Sequence, residues 1–140
     1  MSATLEGGCL CGAFRYAIRG ELGPIGFCHC HTCQKSEGVA FATTARVARE
    51  DFSWSRGEES SLRSYESSPG KRRYFCGTCG SKLFAAWANR DTLILRLGSL
   101  DGDPGTRPVV HIWTEDAVPW RALESELPMF PRGVPPRNDD

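Results

Sequence analysis

Seven cysteines stand in three tight groups: Cys9 and Cys11 as a CxC, Cys28, Cys30 and Cys33 as a CxCxxC, and Cys76 and Cys79 as a CxxC. Thiols at such spacings are the pattern that metal sites require, and tetrahedral zinc takes thiolates two to four residues apart. A disulfide framework fits poorly, because an odd count cannot be consumed internally and CxC neighbours scarcely meet bridge geometry. Redox cycling at Cys76-Gly77-Thr78-Cys79 lacks the βαβ context of a thioredoxin motif. Seven ligands divide as four plus three, one closed structural site and one open site whose fourth position takes water or substrate. The local triple Cys28, Cys30, Cys33 suits the open site, and the two pairs then close the other. A rival division, with Cys28 and Cys30 joining Cys76 and Cys79, remains open on spacing alone.

The rest of the composition narrows the setting. The 140 residues contain 17 Lys+Arg and 17 Asp+Glu, so no net charge steers the chain toward nucleic acid or an anionic membrane. No apolar run reaches the roughly 18 residues of a membrane span, and Met1 to Glu6 has neither region of a signal peptide. The expectation is a cytoplasmic protein of one domain over residues 1–140, with thiols kept reduced. Self-association into a homo-oligomer stays open.

Short strands must position the cysteines. Ala13 to Arg19 and Val39 to Val47 alternate apolar and polar residues, and Phe52 to Ser55, Leu62 to Ser67, Arg72 to Phe75, Lys82 to Trp87, Thr92 to Leu97 and Val109 to Trp113 are also strand-like. Breakers such as Gly57-Glu58 and Ser67-Ser68-Pro69-Gly70 separate them. A single short helix is predicted over Cys30 to Glu37, on the triple-cysteine loop, and the Pro-rich tail from about 128 to 140 reads as irregular, packing if at all through Met129 and Phe130. The fold class is all-β, mainly antiparallel, with one or two short helices. Trp54, Trp87, Trp113 and Trp120 read as core.

Three stretches together, Gly7-Gly8-Cys9-Leu10-Cys11-Gly12, Cys28-His29-Cys30-His31-Thr32-Cys33 and Arg73 to Ser81, resemble the glutathione-dependent formaldehyde-activating family, whose domain also occurs in centromere-protein-V-type proteins. The similarity runs on through Gly38 to Phe41 and His111-Ile112-Trp113 to Pro119-Trp120. It implies a zinc-stapled β-tent domain, a structural zinc on Cys9, Cys11, Cys76 and Cys79, and a catalytic zinc on Cys28, Cys30 and Cys33. It also implies a carbon-sulfur lyase activity that joins glutathione and formaldehyde into S-hydroxymethylglutathione.

Zinc carrying three thiolates has net charge −1 and is a weaker Lewis acid than a three-histidine site, so thiol activation suits it better than water activation. The partners expected are a small glutathione-like thiol and a small aldehyde. Lys35 and Arg73 are candidates for receiving a substrate carboxylate, with Lys71 and Arg72 beside them. His29 and His31 alternate with the ligand cysteines and could move a proton or close the triple as a fourth ligand; His111 reads as structural. Phe41 and Phe75 are expected to line the metal pocket. The competing class is a non-catalytic module with two structural zincs that binds a protein partner; a closed Cys3His shell on a flat surface would identify it, an open triple facing a concavity the enzyme.

Overall fold

Alternating stretches become strands wherever one face can be covered. In the computed structural model, which describes residues 4–123 and 125–135, these are β1 (Leu5–Gly8), β2 (Arg15–Ile18), β3 (Ile25–Cys28), β4 (Ala42–Ala48), β5 (Phe52–Arg56), β6 (Arg63–Ser68), β7 (Lys71–Phe75), β8 (Lys82–Trp87), β9 (Thr92–Arg96) and β10 (Pro108–Ile112). One α-helix, α1 (His31–Glu37), and a few 3-10 turns complete the described residues. A three-stranded sheet runs β1-β2-β5, and a seven-stranded sheet runs β10-β3-β4-β9-β8-β7-β6. Every neighbouring pair is antiparallel except β3 and β10, which run parallel. No helix among the described residues is long and apolar enough to cross a membrane.

The small sheet lies on the large one, and the core is where they meet. Tyr16 and Ile18 of β2 join Val47, Leu83, Phe84, Leu93 and Leu95, all almost wholly buried, with Phe52 and Trp54 packed against them. Tyr16 stacks on Phe52 at 5.0 Å between ring centres, and Phe52 meets Phe84 edge-on at 5.7 Å, geometries that add to simple area burial. β8 buries four consecutive residues, Leu83 to Ala86, so both its faces are covered and its sequence cannot alternate.

β1 and β3 carry no legible strand pattern. β1 ends in Gly7-Gly8, where a side chain at Gly7 would come 2.5 Å from the Tyr16 hydroxyl; the glycine is required by close approach. β3 is only Ile-Gly-Phe-Cys. The stretch expected to begin a strand at Val39 begins one at Ala42, because Gly38 closes α1 in the left-handed region (φ 67°) and residues 39–41 turn back toward the sheet. The tryptophans divide. Trp54 packs on the core and Trp113 on the second cysteine cluster, whereas Trp87 is half-buried between Lys71 and Arg90, and Trp120 is 72% exposed and corrects the core reading.

Within the described part of the tail, residues 125–135 are irregular but tied down. The backbone of Phe130 donates to His111 O, and His111 N donates to Pro128 O. The Phe130 side chain is partly covered and that of Met129 is largely exposed. Residues 136–140 of the expected irregular tail, and Met1 to Ala3, lie outside the described residues.

Candidate metal centres and the adjoining cleft

The first cluster joins the two sheets. β1 runs into a tight turn that presents Cys9 and Cys11, with Phe14 N donating to Cys9 Sγ at 3.3 Å. Cys76 and Cys79 come from the knuckle between β7 and β8, closed by Gly80 N donating to Cys76 O at 2.8 Å. Ser81 links the two loops: its hydroxyl accepts from Leu10 N at 2.9 Å and lies 3.2 Å from Cys79 Sγ. Hydrogen bonds from the side chain and backbone of Ser81 pull the Cys79 thiol down to about 5. All four sulfurs lie within 4.8 Å of one another, Cys9 to Cys11 at 3.7 Å and Cys11 to Cys76 at 3.8 Å. A tetrahedron with metal–sulfur bonds of about 2.3 Å has sulfur–sulfur edges of about 3.8 Å, so the donor set fits zinc. The sulfurs that converge here are those of the two pairs, not the rival set of Cys28 and Cys30 with Cys76 and Cys79.

The second cluster is built around the start of α1. Cys28 ends β3, Cys30 is the residue at the helix cap, and Cys33 lies in the first turn; Cys33 N donates to Cys30 Sγ at 3.3 Å. The three sulfurs also lie within 4.8 Å of one another, Cys33 to Cys28 at 3.5 Å. Gln34 fixes the turn, its Nε2 donating to His29 O at 2.6 Å and to Asp116 O at 2.8 Å. Hydrogen bonds from Cys28 and then Cys30, with Arg96 and Arg73 nearby, hold the Cys33 thiol far below its ordinary value; the Cys28 thiol is driven up by Cys30, Cys33 and burial.

No histidine completes this triple among the described residues. His29 points the other way, its Nε2 lying 2.8 Å from Nδ1 of buried His111 among Phe27 and Phe41. Burial holds both imidazoles below their ordinary values, which favours neutral rings joined by this single hydrogen bond. His31 is exposed, 3.8 Å from Asp116. Phe41 packs on the histidine pair, whereas Phe75 is on the wall of the cleft described next.

That cleft, of about 530 Å³, opens beside the triple and is walled by Lys35, Arg73, Lys82, Phe75, Tyr65 and His31, among others, with no carboxylate in its lining among the described residues. The structure brings Lys35 and Arg73 to one cavity. Arg73 is nearly buried, however, and its Nη1 reaches Cys33 Sγ at 3.7 Å. Lys82, with Nζ 4.5 Å from the centre of the Phe75 ring, was not singled out in the sequence, although it directly follows the knuckle motif. The ion pair of Arg96 with Glu37, 2.9 Å apart and about nine-tenths buried, was missed too. A charge closing the apolar run Leu93-Ile94-Leu95 was its only signal.

The fold and site define a class, a β protein with one closed four-thiol site and one three-thiol site beside a cationic cleft. The family model described as glutathione-dependent formaldehyde-activating enzyme matches residues 4–116, and the chain belongs to that family. An uncharacterized lyase of Schizosaccharomyces pombe (strain 972 / ATCC 24843) is 33% identical over 87 residues, 60% of this chain. The match spans 58% of that relative's length. A crystal structure of a Rhodobacter sphaeroides protein, a structural genomics target, superposes with a TM-score of 0.58 at 24% identity over 74% of this chain and 97% of that one, a likeness of fold.

Proposed function

We propose that the protein is a zinc-dependent lyase of the carbon-sulfur type that joins a glutathione-like thiol to a small aldehyde such as formaldehyde and reverses the same reaction. The observation that carries this reading is the three-sulfur cluster with no fourth protein ligand among the described residues, next to a cleft lined with cations and free of carboxylates. A binding module with two closed sites would turn a histidine into the triple; His29 is instead committed to His111.

Cys28, Cys30 and Cys33 would hold the zinc, which would supply Lewis acidity that lowers the pKa of an incoming thiol while leaving it nucleophilic. The protein's own groups do the rest. Lys35 and Lys82 stand on the cleft wall to receive the carboxylates of a thiol such as glutathione, and Arg73 adds positive charge deeper in. The two lysines hold the thiol so that its sulfur, rather than its charged ends, meets the cluster. Addition forms one carbon–sulfur bond; the carbonyl π pair moves to oxygen, which takes the proton that the thiol gave up, and no electrons are gained or lost overall. Tyr65 at the cleft and the Phe75 ring give the aldehyde and the thiol's methylenes an apolar surface. Cys9, Cys11, Cys76 and Cys79, whose four sulfurs converge, would hold a second, structural zinc.

Exchange NMR of formaldehyde and glutathione tests this proposal. Two-zinc protein is expected to accelerate formation and breakdown of the hydroxymethyl adduct, and Cys33→Ser to abolish the acceleration while keeping one zinc. Unchanged exchange with two zincs bound would reject the glutathione–formaldehyde assignment.

A further inference from the structure

The buried charges near the three-cysteine cluster do not balance until the cluster itself is counted. Arg96 is matched by Glu37 at 2.9 Å. Arg73, 7% exposed, has no carboxylate within 4.0 Å among the described residues. Its Nε donates to Ser67 Oγ at 3.0 Å, which orients the guanidinium, and its Nη1 donates to Cys33 Sγ at 3.7 Å. A guanidinium stays protonated in any protein setting, and burying it without a counterion is costly. A neutral serine does not offset that charge. Three thiolates around a divalent metal carry net −1, which is the charge Arg73 lacks, while the Glu37–Arg96 pair contributes nothing net.

We infer that Arg73 is the counterion of the three-cysteine cluster, neutralising the metal-loaded trithiolate through Cys33 and thereby setting how tightly this cluster keeps its metal, whatever thiol enters the cleft. The inference rests on the reading that these cysteines hold zinc. It makes Arg73 a positioning residue that acts through Cys33, where the sequence alone made it a receiver of substrate carboxylates. Lys35 and Lys82, which touch neither cluster through a hydrogen bond, keep that receiving role.

The experiment titrates zinc-loaded wild type, Arg73→Met and Arg73→Lys with a chromophoric chelator and counts metal per chain by native mass spectrometry. In Arg73→Met the second zinc is expected to bind about 10- to 100-fold more weakly, the usual cost of losing a partner of a metal ligand, while the four-cysteine zinc is unchanged. Arg73→Lys restores the charge and is expected to stay within about threefold of wild type, with geometry the only loss. Two zincs held as tightly by Arg73→Met as by wild type overturn the inference and leave the zinc reading intact; one zinc per wild-type chain overturns both. Binding of 2-mercaptoethanol and of glutathione to loaded protein separates the two roles. A counterion weakens both by a similar factor; a loss confined to glutathione overturns the inference. If Arg73→Met alone is poorly folded, the same change is made in Cys33→Ser protein, where the guanidinium no longer has its partner. There the thermal midpoint is expected to hold or rise, and a drop equal to that in the Cys33-containing protein overturns the inference.

Discussion

Tyr16 shows how one residue ties chemistry to stability. Its ring is fully buried, and its hydroxyl lies 2.5 Å from Ser99 Oγ. Burial outweighs that hydrogen bond and pushes the phenol up to about 12. The folded protein thus resists ionising a group that ionises near 10 when unfolded, so the stabilisation is intact below pH 10 and is lost as pH rises from 10 to 12. About 2 to 3 kcal/mol is expected to disappear over that window in urea unfolding, and Tyr16→Phe to lack the step. At the cleft, Lys35→Met is expected to raise KM for a carboxylate-bearing thiol about five- to tenfold with kcat little changed, since an exposed lysine binds ground and transition states alike. Steady-state kinetics with glutathione and with an uncharged thiol check this, the uncharged thiol being unaffected.

At the scale of elements, the turns carry the cysteines and the strands only aim them. β1 delivers Cys9 because Gly7 lets it lie against Tyr16 and Ser99; a methyl group there would sit 2.4 Å from Ser99 O and 2.5 Å from the Tyr16 hydroxyl. Gly7→Ala is expected to cost about 2 kcal/mol or more and to weaken the four-cysteine site, read as a lower thermal midpoint with faster release of one zinc. Gly38 is the opposite case. Its left-handed φ closes α1, yet nothing lies within 4 Å of an added methyl, so Gly38→Ala is expected to cost only about 1 kcal/mol in backbone strain with both metals retained. This contrast also marks what was legible. The strand pattern of β2 is written in its own alternation, and α1 in its cap and spacing, because both are local. β1 and β3 were illegible because their reasons lie across the fold, in the Tyr16 hydroxyl and in the partners β4 and β10. The cysteine triple was readable from its spacing, but the pairing of Glu37 with Arg96 and the place of Lys82 on the cleft wall come only from tertiary packing.

For the whole molecule, the two clusters divide the work. The four-cysteine site joins the end of β1 in the small sheet to the knuckle between β7 and β8 in the large one, so it closes the core interface that Tyr16, Phe52 and Phe84 fill. Cys76→Ser is expected to cost at least about 3 kcal/mol and to lose cooperative unfolding, whereas Cys30→Ser, at a cluster outside that core, costs less than half as much. Urea denaturation of the two variants measures the difference. The cleft stands on the side of the second cluster, which it meets through Arg73, away from the thiols that join the sheets.

The most direct test of this division is native mass spectrometry of the protein titrated with glutathione, before and after Cys33→Ser. The expected result is two zincs per wild-type chain with one glutathione added, and one zinc with no glutathione added in the variant. Glutathione bound equally by Cys33→Ser, or a wild-type chain that holds two zincs and takes up no thiol, would contradict the assignment of the three-cysteine cluster as the place where the thiol is activated.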